Sequence, residues 1–128
     1  MKNFSNEMSE RFMSFVVKIL KLENQLLKTY SGRHIYGQLF RSGTSSGANF
    51  EEARAGESNA DFIHKMQIVL KELRESHYWI KLLIATQLTP SLTDNLTSLL
   101  IDSQELKSII AKSVVTAKFK IANSKPST

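Results

Sequence analysis

The chain has 128 residues, 41% of them apolar, no cysteine, and a formal charge of +5 from seventeen Lys and Arg against twelve Asp and Glu. A chain of this size buries roughly two-thirds of its unfolded surface in one core, and the lack of cysteine excludes disulfides, zinc thiolate sites, iron–sulfur clusters and a thiol nucleophile, in keeping with a reducing compartment. Glu7 and Glu10 interrupt the stretch where a signal peptide needs an apolar run, and no apolar run reaches the length of a membrane span, so the expectation is a cytoplasmic protein with no membrane partner.

The first predicted helix covers 5–30. Met8, Phe12, Phe15, Ile19, Leu22 and Leu26 recur at steps of four and three, the rhythm of helices packed side by side. Ser5 or Asn6 is available as its cap, and Ser31-Gly32 as its stop. The second helix, 33–55, keeps the rhythm at Ile35, Leu39, Phe50 and Ala53 but carries Ser42, Gly43, Ser46 and Gly47 in its middle. Each interior glycine costs roughly 1 kcal/mol relative to alanine, so close packing against another helix is expected to compensate.

The third helix, 59–88, is capped by Ser58 or Asn59. It presents Phe62, Met66, Val69, Leu73, Ser76, Ile80 and Leu83, with a flanking row of Ile63, Leu70, His77 and Ile84 that is wider than one partner requires. Pro90 separates it from the fourth helix, 91–122, in which Leu92, Leu96, Leu99, Leu106, Ile110 and Ala117 keep register and Asp94 occupies the first turn. Residues 123–128 read as a disordered tail. Short loops between four such helices predict one all-α domain over 1–122, an antiparallel up-down four-helix bundle, and no strand period competes.

The excess charge sits in the fourth helix and beyond. Lys107, Lys112, Lys118, Lys120 and Lys125 all follow Glu105, the last acid of the chain. Lysines there suit the negative end of the helix dipole and also make a surface that attracts phosphate.

Gly43-Thr44-Ser45-Ser46-Gly47 matches the G-x-S-x-G pattern of a nucleophile elbow, but that chemistry needs a strand before the serine and a His and an acid beside it. Here the flanking periodicity is helical on both sides, and small residues four apart instead let a neighbouring helix approach. Asn49, Glu52, Glu72 and Glu75 lie near the apolar stripes, within reach of Arg41, Lys65 or Lys71 across helices. A di-metal bundle site expects Glu-x-x-His on two helices, and none of His34, His64 or His77 has a Glu three residues before it. A buried polar network is the expected role, with no catalytic residue, cofactor or metal. Tyr78-Trp79 fits a core or interface position better than a base-stacking platform.

Residues 36–54, YGQLFRSGTSSGANFEEAR, followed by SNADFIHKMQIVLKE from Ser58 and then Tyr78-Trp79, resemble the four-helix bundle proteins encoded in intervening sequences of bacterial 23S ribosomal RNA genes. The matching positions are Arg41, Ser42, Thr44, Ser45, Ala48, Asn49, Glu52, Lys65, Lys71, Glu72 and Trp79. Gly47 departs from the pattern, where relatives carry a branched apolar residue.

The resemblance implies a ring-shaped homopentamer and kinship with the accessory variability proteins of diversity-generating retroelements, which bind nucleic acid and a reverse transcriptase through a basic surface. Together these readings predict a non-enzymatic oligomer that binds the backbone of RNA or DNA through Lys112, Lys118 and Lys120, with Arg41 and Arg54 as further contacts. The alternative is a protein interaction module, serving a polymerase or reverse transcriptase, with no nucleic-acid contact of its own.

Overall fold

A computed structural model describes residues 3–124. Helix α1 (Phe4–Leu20) begins where the Asn3 side chain accepts the Asn6 amide at 2.8 Å, so the cap lies upstream of Ser5 and Asn6. The long first helix expected over 5–30 is broken. Lys21 and Leu22 form a turn, a single-turn helix α2 (Glu23–Leu26) follows, and α3 (Tyr30–Arg54) already starts where the first helix was expected to stop.

Leu22 and Leu26 remain fully buried through the break, so the turn and α2 keep the core stripe of α1. Thr29 then caps α3 by accepting the Gly32 amide at 3.0 Å. Gly32, expected to end a helix, lies in the first turn of one, where a Cβ would collide with the Leu26 carbonyl oxygen.

Helix α4 (Asn59–Thr86) is capped by Ser58, whose hydroxyl accepts the Asp61 amide at 3.1 Å. It ends at Gln87, which takes the left-handed conformation at φ 51°. A 3-10 turn at Pro90–Leu92 leads into α5 (Thr93–Ser124). That helix continues through Asn123 and Ser124, two residues into the expected tail, and the rest of the tail lies outside the described residues.

Cross-helix contacts set the topology. Phe12 of α1 stacks on Phe50 of α3 with ring centroids 4.9 Å apart, while Ile19, farther along α1, meets Gly43, earlier on α3, so these helices are antiparallel. Ser42 and Ser76 join α3 to α4, His77 and Ser103 join α4 to α5, and Lys18–Asp102 closes the ring from α1 to α5. The result is an antiparallel bundle of four long helices.

Every apolar position expected in the first helix is buried. Met66, Val69, Leu73, Ile80 and Leu83 of α4 and Leu96, Leu99, Leu106 and Ile110 of α5 are buried too. Among the described residues no helix is long and apolar enough to cross a membrane.

Candidate nucleic-acid interface

The segment Arg41 to Ala53 has a face toward each neighbouring helix. Toward α1 it offers Gly43, where an added Cβ would stand 2.5 Å from Ile19 Cδ1; at Gly47 the nearest atom, Val16 Cγ2, would be 3.6 Å away. Close approach therefore accounts for Gly43, and Gly47 has room for a methyl group. Toward α4 the segment offers Ser42, fully buried, whose hydroxyl pairs with that of Ser76 at 2.7 Å. Ser46 is equally buried and donates to the Gly43 carbonyl one turn back at 2.7 Å, so neither hydroxyl is left unpaired in the core.

Thr44 bonds back to Phe40 O at 2.7 Å, and Asn49 donates to the Ser45 carbonyl at 2.9 Å and to its hydroxyl at 3.1 Å. Ser45 thus sits mid-helix on hydrogen bonds within α3, without the strand-to-helix turn that an elbow requires. Ala48 is exposed and, with Gly47 and Met13, lines a shallow apolar groove of about 220 Å³ between α1 and α3.

The charged members of the motif form a lattice over the α3–α4 seam. Arg41 reaches Glu72 at 3.1 Å and also binds Glu75, while the Trp79 indole donates to Glu75 at 3.1 Å. Burial pushes the Glu75 carboxyl upward, but hydrogen bonds from Arg41 and Trp79 and the charges of Arg41 and Lys71 carry it below its ordinary value. Glu72 is only 7% exposed, and Arg41, itself half-exposed, is its counter-charge at the edge of the core. Lys65 faces Glu52 at 3.6 Å, and Trp79 meets His34 edge to face.

Arg41 is therefore committed to carboxylates. So is Arg54, which contacts Glu51 at 3.4 Å and binds Asn6.

Lys112, Lys118 and Lys120 are exposed on α5 and, among the described residues, have no hydrogen-bond or ion-pair partner. The structure does not gather them on one face. At 3.6 residues per turn Lys118 and Lys120 are about 160° apart around the helix, with Lys112 on a third bearing.

A tighter group lies across the α4–α5 seam, where Lys107 meets two cations of α4. Burial, and then the charges of Arg74 and Lys81 on α4, hold the Lys107 ammonium below its usual pKa. Burial likewise lowers the pKa of His77, helped by Lys107 and Lys81, and its Nδ1 pairs with the Ser103 hydroxyl at 2.8 Å. Arg74 and Lys81 are exposed and Lys107 is half-buried. All three lack an ion-pair partner among the described residues. Two of the three cations were legible together, since Arg74 and Lys81 stand at i and i+7 on one helical face, with Tyr78 at i+4. Lys107 joins them only through the α4–α5 pairing.

The sequence profile described as "23S rRNA-intervening sequence protein" matches residues 5–112, most of the chain. The chain belongs to that family. A crystal structure from Bacteroides thetaiotaomicron, described as a protein with unknown function from the S23 ribosomal protein family, is 34% identical and superimposes with a TM-score of 0.71, covering 83% of this chain and 96% of that one. No curated protein matches. Neither the family description nor that relative names a catalytic activity.

Proposed function

We propose that this family member is a non-enzymatic, homo-oligomeric bundle that binds the sugar–phosphate backbone of RNA or DNA. The observation that carries the reading is the distribution of unneutralised charge. Arg74, Lys81, Lys107, Lys112, Lys118 and Lys120 lie on α4 and α5 without carboxylate partners among the described residues, as do Lys21, Lys28 and Arg33 near the α1–α3 turn, whereas Arg11, Lys18, Arg41, Arg54 and Lys65 are each paired with an acid. Cations left unpaired on adjacent helices form a field that attracts polyanions.

Exposed apolar surface supports the oligomeric part of the reading. Met13, Val17 and Leu20 on α1 and Phe40 on α3 expose apolar surface beside the α1–α3 groove, as a contact between copies would use. A ring of five copies would repeat a charge of +5 around one particle and multiply weak phosphate contacts. The same apolar surface also suits the second reading, a module docking on a polymerase or reverse transcriptase. A pull-down that recovers one protein after nuclease treatment would favour that alternative.

Titrating labelled RNA and DNA with the purified protein from about 50 to 200 mM salt tests the proposal. Affinity should fall steeply with salt. No binding at the lower salt, or an affinity indifferent to salt, refutes it. Light scattering tests the assembly independently, and a monomer at micromolar protein overturns the ring.

A further inference from the structure

The outer face of α4 carries an exposed aromatic ring inside the basic group. Tyr78 is 58% exposed, with Arg74 one turn before it and Lys81 one turn after it on the same face. Neighbouring Trp79 meets the phenol ring edge-on, with centroids 5.1 Å apart at 74°, and is itself held by Glu75. The ring is therefore braced by the indole while more than half of the residue stays open to solvent. A large aromatic surrounded by cations contributes little to the core, whose α4 stripe runs through Leu73, Ser76 and Ile80. Arg74 and Lys81 are separated by about 10 Å along the helix axis at 1.5 Å per residue, with Tyr78 between them.

We propose, resting on the nucleic-acid reading above, that this face holds single-stranded RNA or DNA, with Tyr78 stacking on one base and Arg74, Lys81 and Lys107 taking the adjoining phosphates. Duplex bases are stacked on one another and offer no free π-face, so a protruding ring is useful only on an unpaired strand. Cations alone would serve duplex and single strand alike, and it is the ring that separates them. The group also holds three cations with no ion-pair partner among the described residues, and a bound polyanion relieves their mutual repulsion. An acidic peptide would satisfy the cations but leave the ring face without a flat partner.

Fluorescence anisotropy tests the site with labelled oligo-dT and oligo-U of about 15 nucleotides, within the range one protein module occupies, against a hairpin duplex of equal charge. Tyr78→Ala should weaken single-strand binding by roughly tenfold or more and leave duplex binding within about twofold, while Tyr78→Phe retains the affinity. The triple variant Arg74→Gln, Lys81→Gln, Lys107→Gln should weaken both and flatten the salt dependence. All these variants should unfold at the wild-type temperature.

If Tyr78→Ala leaves single-strand affinity unchanged or lowers duplex affinity equally, the stacking site is wrong. If polyglutamate competes as well as the oligonucleotide at equal charge, the face is a general acidic-ligand site and the proposal falls. Wild-type protein that binds neither strand form sinks the broader function with it. Binding that ignores all four substitutions sinks this site alone.

Discussion

Three glycines of α3 share a helix but not an environment, which makes Gly→Ala at Gly37, Gly43 and Gly47 a controlled test of how α1 packs. Each substitution gains roughly 1 kcal/mol of helix propensity. At Gly37 nothing among the described residues lies within 4 Å of the new methyl, so the full gain should appear. At Gly47 the methyl would sit 3.6 Å from Val16 and 3.8 Å from Phe12, ordinary contact distances, and the gain should be as large or slightly larger. At Gly43 it would stand 2.5 Å from Ile19 Cδ1, about 1 Å inside normal contact.

Ile19 is 1% exposed and cannot swing away freely, so an overpacking cost of about 1–3 kcal/mol should cancel or exceed the propensity gain. The Gly43 and Gly37 variants should then differ by about 2 kcal/mol, or roughly 8 °C in melting temperature. Adding Ile19→Val removes the clashing Cδ1. Although that change alone costs about 0.5–1.5 kcal/mol, the double variant should be more stable than the sum of its parts. Urea and thermal unfolding followed by far-ultraviolet circular dichroism measure all of these. If Gly43→Ala stabilises as much as Gly37→Ala, the close approach of α1 is not what keeps a glycine there.

Other substitutions probe the polar lattice and the helix ends. Arg41→Gln strands the buried Glu72 and should cost about 1–3 kcal/mol, much of it recovered by adding Glu72→Leu, as read from urea midpoints. The Glu75 carboxyl lies below its ordinary value of 4.5, so its contribution is complete above that pH and is lost as pH falls through the lowered value. Arg41→Gln should flatten the dependence of the urea midpoint on pH in that acid window, and an unchanged slope refutes the pairing. The Tyr36 hydroxyl is buried without a hydrogen-bond partner among the described residues, so Tyr36→Phe should be neutral or stabilising by about 1 kcal/mol in the same unfolding assay. Gln87 holds φ 51°, and Gln87→Gly should raise stability by about 0.5–1 kcal/mol; a loss would mean that its side chain does more than end α4.

The candidate interface was legible in pieces. Lysine after lysine beyond Glu105 announces a basic end to the chain, and Lys112, Lys118 and Lys120 are exposed as that reading requires. Sequence proximity is nevertheless a poor guide to proximity on a helix, where two residues are nearly opposite and eleven are nearly in line. Arg41 and Arg54 looked available because charge counting cannot see partners. Glu72 and Glu75 reach Arg41 only once α3 and α4 pair, and Asn6 reaches Arg54 only once α1 lies along α3.

The sequence by itself determined the helical class, the up-down order and the buried stripes, because apolar periodicity is a local property that survives in any compact arrangement of the helices. The tertiary structure alone decided where helices stop and which charges stay free. Helix α1 stops at Leu20 although no glycine or proline marks the turn and Leu22 and Leu26 stay in the core, and Gly32 moves from a stop signal to a point of contact. The serine- and glycine-rich run that resembles an active site is packing toward α1 and hydrogen bonding toward α4. Cations left over after the carboxylates are matched define the surface, and matching depends on distances across helices that no single segment encodes.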